Sequence, residues 1–361
     1  MLPLLSGVLL FLSFPPAKLL VPPFVALVPF LLFVSERPIG SEGRWSAARG
    51  GFLMGLAYFG LLLYWLVVAL IHYSALAIPA YTLTVLVLAG FTGTFGWALH
   101  YVRERVPRVP FALSAALLWT AIEWVQGHLG DLSFPWLGLG SALSSFPTLA
   151  GAAELVGARG LSFWLALVNG MIAWGVLRAR GGQRVAWPAI ATALVIAVPV
   201  GFGVWRAATL EMRPAARVAV VQPNIPEDLK MQRAAAVDST LSSLDALMPR
   251  IEPGSVDLVV WPEVTLPAFI MLPYERYLLS RIEAMSEAVG APIVAGAYGA
   301  DFDEDGDATA FNSAFVVTGA GPTGETYHKK YLVPFVERIP FIDPARLESI
   351  LGNLRYFGGL G

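Results

Sequence analysis

The sequence predicts a multi-pass α-helical membrane bundle followed by an α/β domain. Hydrophobic residues make up 56% of the 361 residues and charged residues only 14%, whereas ordinary soluble domains contain roughly 45–50% and about 25%. The hydrophobic excess lies before about residue 210. Beyond it, short β-branched runs alternate with helical periodicity, which is typical of a layered α/β domain. We therefore expect the bundle over residues 1–210 and the α/β domain over residues 211–361.

Seven apolar runs in the first part approach the roughly 20 residues that a helix needs to cross a bilayer. They cover residues 2–14, 19–34, 51–71, 78–101, 110–127, 155–177 and 185–205. The first two are short and are interrupted by Pro15-Pro16 and Pro22-Pro23. A re-entrant pair is therefore the alternative for these two, since proline is tolerated where neighbours satisfy the freed carbonyls.

The arginines predict the orientation of the bundle. They cluster in the loops after the second, fourth and sixth runs, whereas the opposite connections carry little more than Lys18 and Arg159. The clustered residues are Arg37, Arg44, Arg49, Arg103, Arg105, Arg108, Arg178, Arg180 and Arg184. Loops rich in arginine face the cytoplasm. The N-terminus is then cytoplasmic, and seven crossings place everything after Arg206 on the outer side.

The second part shows the pattern of alternating strands and helices in more detail. The predicted strands are 217–221, 256–261, 292–297 and 313–318, and the predicted helices are 229–247 and 276–289. The run 258–261 is apolar throughout, as in strands that are buried on both faces. The acidic run 301–307 has the first spacings of a calcium-binding loop, but Asn312 stands where that loop requires a glutamate. A solvated hairpin loop is therefore the favoured interpretation.

Composition also excludes several classes of function. The net charge of −2 gives no support for nucleic-acid binding. The 361 residues contain no cysteine, which excludes disulfides, thiolate metal sites and a thiol nucleophile within them.

An ionisable residue and an apolar loop stand out in the membrane part. Glu123 lies within the apolar run 110–127, where a charge is costly. It is therefore either functional, or a helix-end carboxylate near the outer interface, or paired for packing. The following loop, 128–154, is rich in Gly, Pro and Ser, which argues against a helix, yet it stays apolar. Phe134 and Trp136 in this loop suit either a lipid-facing entrance or an interfacial aromatic belt.

Glu263 and Lys329 are the candidate catalytic pair. Glu263 ends the apolar strand segment Trp261-Pro262-Glu263, and Lys329 follows a strand and turn. A carboxylate that takes the proton of a nucleophile and an ammonium that stabilises an oxyanion can together catalyse acyl transfer. We expect partial burial of Glu263, because it follows a mostly apolar strand. A purely structural ion pair is the alternative.

Several motifs together resemble those of a known family. In the second part, the segments 221–226, 261–263, 311–313 and 327–337 resemble the carbon–nitrogen hydrolase (nitrilase-type) superfamily. In the first part, the segments 11–15 and 134–137, together with Trp119 and Glu123, extend the likeness along the whole chain. The chain as a whole therefore resembles the bacterial apolipoprotein N-acyltransferase family.

The resemblance implies an α-β-β-α sandwich that follows the membrane helices. It implies transfer of a fatty acyl chain from a phospholipid to the N-terminal amine of a diacylglyceryl-cysteine apolipoprotein, by way of a thioester on a cysteine. The partners would be the phospholipid acyl donor, the diacylated apolipoprotein acceptor and membrane lipids, with no cofactor, metal or nucleic acid. The location implied is the bacterial inner membrane, with the catalytic domain on the periplasmic face.

The resemblance also assigns residues. Glu263 matches the general base, Lys329 the catalytic lysine and Glu337 a second carboxylate near the pocket. Phe134 and Trp136 match the loop at the substrate entrance. Met231 stands where the family commonly has a tryptophan that contacts the substrate.

The family's cysteine motif, expected after Lys329, is absent from these residues. We therefore expect a C-terminally truncated chain with an incomplete α/β domain that is inactive as it stands. A membrane-tethered amidase of the same superfamily and a non-catalytic membrane binding protein are the alternatives.

Overall fold

The computed structural model describes residues 1–71, 77–130, 133–226, 229, 233–303, 306 and 308–332. The chain divides into two compact units between Glu211 and Met212. The first unit is helical and the second contains a β-sheet with helices.

The helices of the first unit follow the apolar runs. They are α1 (Leu2–Leu12), α2 (Pro22–Val25), α3 (Val28–Ser35), α4 (Ser41–Leu62), α5 (Tyr64–Leu70), α6 (Ala77–Arg105), α7 (Phe111–Gln126), α8 (Pro147–Ala150), α9 (Ala153–Arg180) and α10 (Ala186–Thr209), with a 3-10 helix at Leu139–Ser145 before α8. Within the described ranges, three helices are long and apolar enough to cross a membrane, namely α6, α9 and α10. The seven crossings remain a prediction.

Two details of this unit differ from the sequence-based expectation. Arg44 and Arg49 lie inside α4 and not in a loop, because the helix already begins at Ser41. The composition of the loop 128–154 argues against helix, but the loop contains a 3-10 helix at Leu139–Ser145 and the short helix α8. Its first turn is held by a side chain from α7, as described below, and single-sequence composition does not reveal such a contact.

Helices α4 and α6 pack in close antiparallel contact through small residues. A Cβ atom on Gly51 would collide with the backbone of Thr92, and one on Gly96 would collide with the backbone of Ala47. Small residues of this kind let helix backbones approach each other in membrane proteins. The contact therefore fixes which residues of α4 and α6 lie level with each other.

The break between α2 and α3 is stabilised by polar side chains of other helices. Asn169 of α9, which is fully buried, accepts a hydrogen bond from the Leu27 N–H at 2.8 Å and donates to the Pro23 carbonyl at 2.9 Å. The Phe30 N–H donates to Ser6 Oγ at 2.9 Å. These contacts satisfy backbone groups that a continuous helix would pair internally, which is the condition for irregular backbone at membrane depth.

Replacing Asn169 with leucine should destabilise the helical unit. The change removes the partners of the Leu27 N–H and the Pro23 carbonyl while keeping a similar volume. Each unsatisfied buried group costs about 1–3 kcal/mol. Thermal unfolding of the protein purified in a mild detergent measures the effect. Thr82→Val is the matched control, because Thr82 is exposed and bonds only within its own helix. Equal midpoints for the two variants would contradict the assignment.

The second unit contains one mixed sheet in its described residues. Its elements are β1 (Val218–Val220), α11 (Arg233–Leu247), β2 (Leu258–Val260), α12 (Arg276–Val289), β3 (Ile293–Phe302), β4 (Ala308–Thr318) and β5 (Gly321–His328). The strand order is β1-β2-β3-β4-β5. Strands β1 to β3 are parallel, and β3, β4 and β5 are antiparallel neighbours. Val259, Ile282 and Ile293 are fully buried in the core of this unit.

An ion pair explains the one charged residue in the predicted strand 256–261. Asp257 accepts hydrogen bonds from the Arg217 guanidinium at 2.9 Å and from the Arg217 N–H at 2.7 Å. These bonds hold the pKa of Asp257 below its ordinary value. The pair lies at the beginning of β1 and β2, where Val218 pairs with Leu258, and so supports the register of the two strands.

The strands after α12 are longer than predicted. Strand β3 extends to Phe302 and β4 begins at Ala308, because their small and polar residues continue the antiparallel pairing beyond the apolar run. The pairing reaches Phe302 opposite Ala308, which confirms the hairpin predicted for the acidic run.

Candidate functional site

Glu263 and Lys329 meet in a pocket of the second unit. Lys329 Nζ lies 2.9 Å from Glu263 Oε1. The pocket encloses about 300 Å³, and its lining includes Trp261, Gly296 and Asn312. The two residues are far apart in the sequence, so the pairing depends on the folded sheet.

The turn after β2 places Glu263 at the carboxyl end of a parallel strand. The Trp261 N–H donates to the Val294 carbonyl at 2.9 Å and so continues the pairing with β3. The chain then turns, and Thr265 Oγ1 closes the turn by donating to the Pro262 carbonyl at 2.6 Å. Val264 has a φ of 43°, which is unusual for a β-branched residue and is typical of functional turns held by their surroundings.

The end of β5 places Lys329. The Lys329 N–H donates to the Asn312 carbonyl at 2.8 Å. The preceding residue, His328, pairs with Ser313 across the strands, and its Nδ1 lies 2.7 Å from Ser313 Oγ. The His328 ring also stacks on Phe311 with the ring centroids 4.4 Å apart. The backbone that carries the lysine is therefore fixed on both sides.

Asn312 is a site residue that the sequence analysis did not assign. It is buried, with 6% of its surface exposed, and its Nδ2 donates a hydrogen bond to Glu263 Oε1. The backbone carbonyl of the same residue holds Lys329. Asn312 therefore positions both members of the pair. The sequence offers one signal for this role, an amide side chain in a strand with a buried face. Such a side chain needs a hydrogen-bond partner, because buried polar groups are paired.

The expected partial burial of Glu263 is wrong. Its side chain is 60% exposed, whereas that of Lys329 is 25% exposed. The reason is that Glu263 lies in the turn beyond β2 and not within the strand. Because solvent screens such a pair, it contributes little to stability. The contact is better understood as one that orients a carboxylate and an ammonium toward the same pocket.

Glu337 and Met231 lie outside the described residues. Phe134 and Trp136 belong to the helical unit. Phe134 is 4% exposed and Trp136 is 40% exposed, and their rings meet edge to face at 5.0 Å. The buried ring of Phe134 thus supports the exposed indole of Trp136. The indole is available to contact an apolar ligand.

Glu123 holds this loop to helix α7. Its Oε1 accepts hydrogen bonds from Trp119 Nε1 at 2.6 Å and from the Leu139 N–H at 2.7 Å. The Tyr58 hydroxyl adds a bond to the Leu137 carbonyl at 2.9 Å. Among the interpretations of Glu123, these contacts support pairing for packing, and the packed element is the loop that carries Trp136.

Two family models match consecutive parts of the chain. The apolipoprotein N-acyltransferase N-terminal domain matches residues 6–171, and the carbon-nitrogen hydrolase domain matches residues 217–353. The second match contains Glu263, Asn312, Lys329 and Glu337, and the first contains Glu123 and Trp136. Each match falls within one of the two structural units as far as the described residues extend.

Curated relatives show the same likeness along most of the chain. Apolipoprotein N-acyltransferases of Chlorobaculum tepidum and Geobacter metallireducens are 28% and 29% identical over 94% and 93% of this chain. The enzyme of Bradyrhizobium diazoefficiens is 33% identical over 75% of this chain. The chain spans 65% and 64% of the lengths of the first two relatives and 50% of the third.

Proposed function

Because the chain belongs to the apolipoprotein N-acyltransferase family, we propose that its Glu263–Lys329 pocket serves the transfer of a fatty acyl chain from a phospholipid to an apolipoprotein. The acceptor is the N-terminal amine of the diacylglyceryl-cysteine. The observation that carries the proposal is the 2.9 Å contact between a carboxylate and an ammonium in one pocket. The apolar helices α6, α9 and α10 associate the protein with a membrane, where both substrates reside.

Glu263 acts as the general base in the first half of the reaction. It takes the proton from a cysteine thiol, and the thiolate attacks the ester carbonyl of the phospholipid. When the tetrahedral species collapses, the ester oxygen leaves with the proton from Glu263, and the products are a lysophospholipid and a thioester. A positioned carboxylate of this kind contributes about 10²–10⁴-fold to the rate.

The second half of the reaction uses the same groups. The amine of the apolipoprotein attacks the thioester carbonyl, Glu263 accepts the amine proton, and the sulfur leaves as a thiolate that is then protonated. Both halves develop negative charge on the carbonyl oxygen. The Lys329 ammonium stabilises this charge, and losing such a group typically costs about 3–4 kcal/mol. Glu337 is proposed as a further carboxylate near the pocket.

The nucleophile of this scheme is not among the 361 residues, which contain no cysteine. We propose that the pocket works with a cysteine supplied outside them, and that the 361-residue chain alone is inactive. Sequencing the gene beyond codon 361 tests this point. Absence of a cysteine codon from the continuing reading frame would overturn the thioester mechanism.

The arginine distribution supports a bacterial inner-membrane location with the α/β unit on the periplasmic face. A reporter fused after Gly254, in an exposed turn of this unit, tests the orientation. Alkaline phosphatase activity is the expected result, and a cytoplasmic reporter signal would contradict it. On the proposed side, Trp136 and the Glu123-anchored loop suit contact with acyl chains, because an aromatic ring in an apolar loop can lie at the bilayer surface.

The direct test of function is the acylation state of lipoproteins. Cells that depend on the natural gene product are depleted of it, and the N-terminal lipopeptide of an abundant lipoprotein is analysed by mass spectrometry. Loss of the third acyl chain on depletion is the expected result. Unchanged triacylated lipoproteins together with loss of small-amide hydrolysis would instead establish a membrane-tethered amidase.

Replacing Asn312 with leucine should lower the acylation rate by about 10-fold or more, since a misplaced catalytic group can cost 10²-fold. The substitution removes the hydrogen bond to Glu263 but keeps the backbone carbonyl that holds Lys329. We expect kcat to fall while KM for the phospholipid changes little. The matched control is Thr323→Val, which removes a polar side chain from an exposed position of β5. A rise in KM with an unchanged kcat would contradict a positioning role for Asn312.

A further inference from the structure

The helical unit has a cavity of its own, which is lined by residues of α4 and α6. It encloses about 570 Å³, which is within the size range of ligand pockets. We call it the α4–α6 groove. Its lining is apolar except for Arg49 and Thr94. We propose that this groove binds one phospholipid, with the phosphate on Arg49 and the acyl chain along Phe52, Leu53 and Gly90.

The antiparallel packing of the two helices gives the groove a polar end and an apolar end. Trp45 of α4 and Trp97 of α6 lie toward the end at which α4 begins and α6 finishes with Arg103 and Arg105. Leu53 and Gly90 lie deeper. Arg49 is eight residues from Ser41, or about 12 Å along the helix. Aromatic and arginine residues at one end of an apolar groove match the order of headgroup and tail in a lipid.

Arg49 has no partner among the described residues, in contrast to Arg44 and Arg103 nearby. Arg44 lies 3.9 Å from Glu104, and Arg103 donates to the carbonyls of Val34 and Arg37 at 3.1 Å. Within the same described ranges, Arg49 has no hydrogen bond or ion pair. A guanidinium beside apolar surface binds a phosphate well, because its planar N–H groups match phosphate oxygens.

The groove can be filled by substitution without disturbing the packing of the two helices, and this makes the proposal testable. A Cβ atom on Gly90 would meet nothing within 4 Å, so helix packing does not require glycine there. The missing side chain leaves space that an acyl chain can occupy. The inference is independent of the catalytic proposal, because the groove lies wholly on α4 and α6 and uses none of the pocket residues.

Photoaffinity labelling tests the proposal. The natural gene product is held in dodecyl maltoside micelles that contain a trace of phosphatidylglycerol with a diazirine on its acyl chain. After irradiation and digestion, mass spectrometry locates the adducts. We expect adducts on the peptides that contain Leu53 and Thr94, several-fold above those on other lipid-facing peptides. Excess phosphatidylglycerol should compete, whereas uncharged diacylglycerol should not.

Two variants with matched controls complete the experiment. Gly90→Leu fills the groove and Arg49→Gln removes the cation, and each should reduce labelling of these peptides at least threefold. Gly201→Leu places leucine in equally open space on α10, and Arg184→Gln removes an exposed arginine after α9; neither should change the labelling. Equal labelling in all variants would show ordinary surrounding lipid and overturn the proposal. Cross-linked dimers through the groove would also overturn it, in favour of a second copy of the chain.

Discussion

Glu263→Gln should reduce acyl transfer by about 10²–10⁴-fold, the range for loss of a positioned general base. Glutamine keeps the size of the side chain and its ability to accept a hydrogen bond, but it cannot take a proton from a thiol or an amine. The loss should appear in kcat, because the role proposed for the carboxylate is at the reacting atoms and not at the acyl chain. Release of lysophospholipid by the natural gene product in mixed micelles measures the first half of the reaction.

The second half of the reaction is followed separately, by transfer of a radiolabelled acyl chain to a diacylated lipopeptide. Both halves should slow, since the proposed mechanism uses the same carboxylate in both. Glu325→Gln is the control, because Glu325 is exposed on β5 and does not line the pocket. A Glu263→Gln variant that retains more than a tenth of the wild-type rate would refute the base assignment. The ion pair with Lys329 would then have only a structural role.

The elements that carry the site were predictable because their signals are local. The apolar run 258–261 is long enough only for a strand buried on both faces, and it forms β2 within the parallel part of the sheet. The periodicity of residues 276–289 predicts the helix that is observed as Arg276–Val289. Glu263 and Lys329 could be paired in advance because each directly follows such an element within a recognisable motif.

Other features of the site depend on contacts that no local pattern encodes. Asn312 looks like an ordinary polar residue of a strand until β4 brings its amide to Glu263 and its carbonyl to Lys329. The exposure of Glu263 was misjudged because strand composition says nothing about the turn that follows the strand. The 3-10 helix Leu139–Ser145 begins where Glu123, sixteen residues earlier, binds the Leu139 N–H. For Asn312 and for the 3-10 helix, a hydrogen bond between distant parts of the chain overrides the local preference.

A close contact between distant parts of the chain also explains why one glycine should have a large effect on activity. Gly296 of β3 lies directly beside the turn that carries Glu263 and accepts a hydrogen bond from the Leu266 N–H at 3.1 Å. A Cβ atom at this position would lie 2.8 Å from Val264 N and 3.0 Å from Glu263 Cα, and it would collide with the Pro262 carbonyl. All three are backbone atoms, so no side-chain rotation relieves the contact.

Gly296→Ala should therefore move the Glu263 turn away from Lys329. We expect a loss of stability of about 1–3 kcal/mol, the usual range for overpacking, and a fall in kcat of about 10²-fold from displacement of the base. Thermal unfolding and lysophospholipid release measure the two effects on the same preparation. The fall in activity should persist at temperatures well below the unfolding midpoint, because it arises in the folded state.

Gly319→Ala is the control, since it also adds a crowded Cβ atom to this unit, in the turn after β4. There the new Cβ atom would lie 3.0 Å from Glu287 Cβ and 3.3 Å from Glu287 Cα on α12, and Gly319 does not line the pocket. The control should therefore retain most of the activity. If both variants lose activity equally, the effect comes from crowding within the unit as such, and the close approach of β3 to the Glu263 turn is not what positions the base.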